Sequence, residues 1–465
     1  MKPLSALMAT SLFALSGCMN LAPDYNRAPA PIPGVLTFAN PVEEANPLQW
    51  GDIVVSDPLR QIITAALTEN RDLRATAANV RAARARLVSV RANMVPLISA
   101  SGSGREGDTF NTGDSSQLFS DSASVQVGAS AWEMDLFGRL ANNNEAALQS
   151  YLASAEGERA MRISLVGSIC EAWLQLAADK ELLALARDTV ANQSESLELT
   201  TALLETGAAS ELDMRRASAS VQSARAQQAQ FQAFVRQDMN LLRLLVGADL
   251  PEGALEQASL FPSPVIAAVP VSASSDILLS RPDIVAAEHQ LLAANARIGV
   301  ARAAYFPSIS LTGSVGYASA DLGDLFTGGG AGGWTFGPNV SLPIFDGGAR
   351  RGNLDVAKAN RDAALASYES AIQSAFRETA DALQVTETID TRLSALEQLT
   401  EDTEVTLYLS EERFKTGIDD YLTVLDAQRE DYSSRQLLIA ARLDRGRNTV
   451  ALFRALGNWD GKTAE

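Results

Sequence analysis

The feature that most limits the fold of this chain is that its sequence is written twice. Residues 71–104, RDLRATAANVRAARARLVSVRANMVPLISASGSG, match residues 282–315, PDIVAAEHQLLAANARIGVARAAYFPSISLTGSV. Asp72 falls on Asp283, Arg86 on Arg297, Pro96 on Pro307 and Gly102 on Gly313. Further on, LETGAASELDMRRA (204–217) matches FKTGIDDYLTVLDA (414–427), and Leu242 and Gly247 fall on Leu452 and Gly457. A repeat this long is a duplicated half of one fold, not a short solenoid array. Each half reads helix, strand, strand, long helix, return helix. The expected divisions are 1–17, 18–56, a first repeat over 57–275 and a second over 276–465.

Residues 1–17 read as a signal peptide: basic Lys2, a short apolar run from Leu4 to Leu15, then Leu15-Ser16-Gly17-Cys18. The run is too short to span a bilayer. Leu-Ser-Gly-Cys has the form of a lipobox, so Cys18 is expected to be acylated as the mature N-terminus, and multiple acyl chains anchor stably. Met19 follows instead of an aspartate of the inner-membrane retention kind, which points to the outer membrane. Residues 18–56 hold many of the prolines and read as an extended tether. Cys170, in the apolar stretch ISLVGSICEAWLQL, reads as a buried thiol with no disulfide partner.

After Pro96 and after Pro307 the period changes to two. LISASGSGREG, SASVQVGASAWEMDL, SISLTGSVGYAS and WTFGPNVSLPIF each run for about 10 residues, the length of a tilted transmembrane strand. Four strands cannot close a barrel, and open edges are not tolerated in lipid. Several copies must therefore share one barrel, and three would give twelve strands. Trp132, Tyr317, Trp334 and Phe336 are candidates for an aromatic girdle, and the loops between strands read as polar or glycine-rich and outward-facing.

The remainder reads as helix. No proline interrupts 140–205 or 348–415, and about 66 residues at 1.5 Å each would reach roughly 100 Å. Alanine-rich faces suit close coiled-coil packing. Thr206-Gly207 and Thr416-Gly417 mark the turns into return helices over 208–247 and 418–457, with glycine at the left-handed cap and Asp419 and Asp420 at the next helix start. The fold class expected is an α+β membrane protein: a long-helix α-barrel plus a transmembrane β-barrel with four strands from each protomer of a homotrimer.

The composition excludes much chemistry. The single histidine, His289, rules out most His-based metal sites and triads, and beside Glu288 in a helix it reads as structural. TGGGAGG (327–333) lacks the Gly-Lys-Ser/Thr of a phosphate loop. DLFGR (135–139) reads as a strand-to-helix corner. The net charge of −18 disfavours nucleic acid and favours passage of cations. Leu422 and Asp426 lie four apart on one helix face, with Arg429 one turn on. From spacing alone this is equally a solvated face or a functional one.

WEMDLFGR (132–139), RPDI (281–284), AAEHQLLAANARIGVARAAYFPSISLTG (286–313), PIFDGG (343–348) and TGIDDYLTVLDAQR (416–429) resemble the TolC-type outer-membrane efflux channels, specifically the lipoprotein OprM/NodT branch. The resemblance covers essentially the mature chain. It implies a trimeric exit duct working with a periplasmic adaptor and an inner-membrane proton-driven RND transporter, needing no cofactor beyond the lipid on Cys18. It implies that Leu422 and Asp426 ring a closed periplasmic aperture with Arg429 nearby, and that the Thr-Gly tips at 206–207 and 416–417 meet the adaptor. In the first repeat Leu212 matches Leu422, but Arg216 stands where Asp426 stands, so pairing of Arg216 with acidic neighbours such as Asp426 is an expected way to hold the aperture shut. A type I protein-secretion channel and a lipid-anchored structural coiled coil remain alternatives. A periplasmic adaptor fits less well, since this chain carries two helical hairpins and paired strands.

Overall fold

The computed structural model describes residues 19–27, 31, 50–106, 122–251, 253–260 and 278–456. Cys18 and the signal segment lie outside them. The elements run α1 (Trp50–Ile53), α2 (Asp57–Glu69), α3 (Arg71–Ala92), β1 (Ile98–Arg105), β2 (Ser122–Met134), α4 (Arg139–Glu205), α5 (Glu211–Val246), α6 (Pro282–Ala303), β3 (Ser308–Ser319), α7 (Leu322–Thr327), β4 (Ala331–Ser341), α8 (Ala349–Lys415) and α9 (Tyr421–Leu456), with one 3₁₀ turn at Leu255–Gln257. α4 and α8 are both 67 residues long, and α5 and α9 both 36. The chain forms two compact units, and each draws on both sequence halves.

The first unit holds 19–27, Asn79–Ala155 and Ala286–Glu369. Its centre is a four-stranded antiparallel sheet in the order β1-β2-β3-β4. Val125 pairs with Tyr317, Val127 with Val315, Val315 with Trp334 and Gly313 with Phe336. Directly paired residues share a face. One face therefore collects Ile98, Val125, Val127, Val315, Tyr317, Trp334, Phe336 and Val340, all left exposed in the single chain, Trp334 at 79%. The other face is small and polar: Ser103 and Ser124 hydroxyls lie 2.9 Å apart, and those of Ser314 and Thr335 2.8 Å. Gly128 and Gly316 let β2 and β3 approach, since a Cβ on either would sit 2.3 Å from a carbonyl oxygen of the facing strand. A bulge between Ala129 and Trp132, with Ala131 at φ 51°, bends β2 near its helix end.

Two details differ from the sequence reading. β4 begins at Ala331, earlier than expected, because Gly332 and Gly333 pair with Tyr317 and Gly316; it ends at Ser341, whose partner Ser308 is the first residue of β3. The second loop also contains a helix, α7, because Asp321 caps it by accepting from the Gly323 N–H at 2.6 Å and Gly328 closes it at φ 92°.

The second unit, described over 50–78, 156–251, 253–260, 278–285 and 370–456, is helical. Its largest core joins α2, α4 and α9 around Ile62, Ile63, Ile169, Trp173, Leu176, Val450 and Phe453, each at most 1% exposed. Burying each such side chain contributes about 1.5–3 kcal/mol. Part of the segment expected to end the tether lies in this core: Trp50, Ile53 and Val54 are buried. α4 has partners in both α5 and α9, and α9 in both α4 and α8. Arg447 donates to Gln175 at 2.6 Å, Arg454 pairs with Glu171 at 3.1 Å, and Arg392 pairs with Asp444 at 3.0 Å. α5 and α8 are the outer helices, with Leu241, Leu244, Val405, Tyr408 and Leu409 exposed.

Candidate functional site

The turns at the ends of α4 and α8 have one geometry. The Gly207 N–H donates to Leu204 O at 3.0 Å and the Ala208 N–H to Leu203 O at 2.8 Å; Gly417 donates to Phe414 O and Ile418 to Arg413 O, both at 2.9 Å. This is a Schellman closure, with glycine at φ 77° and 73°. The helix starts beyond the two turns differ. Ser210 and Asp213 form a reciprocal capping box at the start of α5, and the Ser210 hydrogen bond holds the Asp213 carboxyl below the usual range. Asp420 caps α9, accepting from the Thr423 N–H at 3.1 Å and hydroxyl at 3.0 Å. Asp419 turns back instead, binding Arg413 through two hydrogen bonds of 2.6 and 2.8 Å that lower the Asp419 carboxyl and raise the Arg413 guanidinium.

The first turns of α9 are two-faced. Tyr421 and Leu425 are buried in a cluster with Ala217, Leu197 and Phe414, the Phe414 and Tyr421 rings 5.7 Å apart. The Tyr421 hydroxyl is buried without a protein partner, and burial raises its pKa. Leu422, Asp426 and Arg429, at i, i+4 and i+7, form the adjoining, exposed stripe, Leu422 at 41%. Asp426 and Arg429 pair at 3.5 Å with both side chains more than half exposed. Leu212 is exposed at 58%. Arg216 pairs with Asp213 at 3.9 Å. Within one chain Arg216 and Asp426 thus each take a partner on their own helix, three residues away, where an i, i+3 carboxylate or guanidinium is already in reach. Exposed pairs of this kind contribute about 0–1 kcal/mol and are easily exchanged. The buried side of the tip is not expected from sequence; its one signal there is the spacing of Tyr421 and Leu425 at i, i+4.

The other motifs build corners. Glu133 accepts from Arg139 Nε and Nη2, and Asp135 accepts from the Ala141 N–H at 2.6 Å, capping α4. Asp346 does the same for α8, accepting from Arg350 Nε at 2.6 Å and from the Arg350 N–H at 3.0 Å. Phe137 stacks on Phe306 at 4.7 Å. Arg281 of the RPDI motif, its side chain nine-tenths buried, bonds Asp283 at 3.1 and 2.7 Å and Glu378 at 3.1 Å. His289 Nδ1 lies 2.6 Å from Gln149 Oε1, a packing role. Cys170 is fully buried, and burial pushes its thiol up to about 12.

Cys18 itself lies outside the described residues, but the chain just after it is fastened. The Met19 N–H donates to Leu136 O at 3.2 Å, Asn142 to Asn20 Oδ1 at 2.9 Å, Arg302 to Leu21 O at 3.0 Å and Asn295 to Pro23 O at 2.7 Å. Tyr25 and Arg27 both bond Glu288, and Arg27 also donates to the Tyr368 hydroxyl at 3.2 Å. Gly299 makes room for this strap, since a Cβ there would sit 2.9 Å from the Ala22 nitrogen. No composition signal marks these nine residues as ordered, because their partners lie more than 100 positions away.

Comparison with known proteins places these features in context. The model of the family described as outer membrane efflux protein matches residues 62–248 and 273–458. The chain is 42% identical to the toluene efflux pump outer membrane protein TtgF of Pseudomonas putida over 97% of this chain and 96% of that one. It is 39% identical to the antibiotic efflux pump outer membrane protein ArpC of Pseudomonas putida over 98% and 96%. The open state of the Neisseria gonorrhoeae MtrE outer membrane channel superposes with a TM-score of 0.83 at 34% identity, over 94% of this chain and 98% of that one.

Proposed function

The chain belongs to the outer membrane efflux protein family, and from that premise we propose that it is the outer-membrane exit duct of a tripartite RND-type pump. It passively conducts drugs or other small toxic compounds from periplasm to exterior. The observation that carries this reading is that both layers of one chain end in unfinished edges. β1 and β4 border the sheet, whose apolar face is exposed, while α5 and α8 keep apolar side chains in the open. No described helix is long and apolar enough to cross a membrane. A sheet with an apolar outer face and a small polar inner face is the wall of a transmembrane barrel, and closure needs further copies. Three copies of a duplicated unit, four strands each, close a twelve-stranded barrel joined to a helical one.

In this reading lipid on Cys18 anchors the chain beside Leu136, where the strap holds Met19. Thr206, Gly207, Thr416 and Gly417 meet a periplasmic adaptor. Three copies of Leu422 narrow the closed end, and three of Asp426 line it with carboxylate that disfavours anions. Leu212 and Arg216 flank it from the first hairpin, and Arg429 tempers the ring. Opening is an iris-like shift of the tips, resisted by the Tyr421–Leu425–Ala217 packing. The matching relatives belong to toluene and antibiotic efflux pumps, which supports small apolar or amphiphilic cargo here.

The test is single-channel conductance of the detergent-purified protein in a planar bilayer, with oligomer mass measured in parallel. We expect a trimer with small, cation-preferring conductance that rises several-fold in D426A/R429A, because the ring and its pair are lost together. A monomer, or a protein silent even with the tip residues replaced, removes the duct reading.

A further inference from the structure

Toward the C-terminal end of α5 two carboxyl groups of the first hairpin adjoin, Asp179 and Asp238, and no donor reaches the Oδ2 of Asp238. Asp179 of α4 is 4% exposed, and its Oδ2 accepts from Gln175 Nε2 at 2.8 Å. Asp238 of α5 faces it, with its own Oδ2 buried and lacking any donor. Two carboxylates are both acceptors, so this contact is attractive only when one of them carries a proton. Leu176 and Leu183 on α4 and Val235 and Leu242 on α5 are buried around it, which raises the cost of a second charge.

The neighbouring charges are engaged elsewhere. Arg447 of α9 donates to Gln175 at 2.6 Å. Lys180 donates to the Leu255, Glu256 and Ala258 carbonyls at 3.1, 2.7 and 3.2 Å, with the Glu256 carboxylate near it. Glu181 accepts from the Leu260 N–H at 3.0 Å and has Arg442 of α9 nearby. None of these groups donates to Asp238 Oδ2.

The second hairpin is an internal control. At the same distance from its turn, 210 residues on, Ile389 replaces Asp179 and Asn448 replaces Asp238. Ile389 is buried, and Asn448 Nδ2 donates to the Thr386 hydroxyl at 2.8 Å. At these two positions that joint places no carboxyl group, and the charges beside them are paired across the helices, Arg445 with Asp390 at 3.5 Å and Arg392 with Asp444 at 3.0 Å.

We propose that Asp179 and Asp238 share one proton and form a pH-sensitive joint that ties α4 to α5 in acid and loosens as neutral pH is reached. The proposal stands apart from the duct reading. Burial, then the adjoining Asp179, push the Asp238 carboxyl up to about 7. The folded value is raised above the usual carboxylate value of about 3.9. Its stabilising contribution is therefore complete below about pH 4, shrinks as pH rises and is gone above about pH 7.

D238N, which copies the residue found at 448, tests this in the purified full-length protein. Chemical unfolding is followed from about pH 4.5 to about pH 7.5. Relative to D238N, the wild-type folding equilibrium should weaken by up to about tenfold per pH unit across that window. A wild-type and D238N difference that does not change with pH overturns the proposal. Should D238N fail to fold, infrared spectroscopy of the wild type decides: a protonated carboxyl band at about pH 6 that fades above neutrality supports the shared proton, and its absence overturns it.

Discussion

In the first helical hairpin the long helix α4 is the buried member and its return, α5, is the outer one; in the second hairpin the roles are exchanged. α5 and α9 have the same length, the same kind of preceding turn and matching sequence positions. Yet six residues of α5 are buried against sixteen of α9. Matching halves are therefore not matching environments. Backbone length and turn chemistry are local and were copied together. Burial depends on which neighbour each helix meets, and α4 and α9 meet each other.

The contrast between the return helices is sharpest at Phe453. This ring is 1% exposed on α9, whereas the matching position on α5 is the exposed Arg243. F453A should cost about 3–5 kcal/mol and R243A about 0.5 kcal/mol or less. Chemical unfolding in detergent measures both; equal costs would mean that α5 is as buried in solution as α9. The turns test the opposite claim, that the hairpins are alike there. G207A and G417A each force a Cβ into the left-handed region and should each cost about 1–2 kcal/mol. A clear difference between them would show that one tip is restrained by something other than its turn. The smallest effect separates the caps. S210A should cost about 1 kcal/mol through loss of the capping box. Because the folded Asp213 value is depressed, that stabilisation is present above the usual carboxylate value and fades as pH falls through the folded one. S210A should therefore flatten the acid limb of the unfolding profile, while an unchanged limb would assign it to other carboxylates.

Much of this architecture is legible in the residues themselves. Proline-free alanine-rich runs give α4 and α8 to within a residue or so, because helix periodicity and breakers act over neighbouring positions. The strands are legible from their alternation, and their faces follow from it. The start of β4 is not, because glycine carries no period, and Gly332 and Gly333 are strand only through the residues they pair with. At the tip, the stripe of Leu422, Asp426 and Arg429 is visible as spacing. The pairing of Arg216 with Asp213 instead of Asp426 is not, since partner choice depends on distances between helices.

Sequence alone accounts for the repeated order of elements, their lengths, the Thr-Gly turns and the two-faced strands. Each of these is set by interactions within about four residues. Three features exist only in the folded chain: which helices lie inside, the strapping of residues 19–27 to α6, and the meeting of Asp179 with Asp238 across a hairpin. These rest on burial and on donors or acceptors brought from distant positions, and no local pattern encodes who those neighbours are.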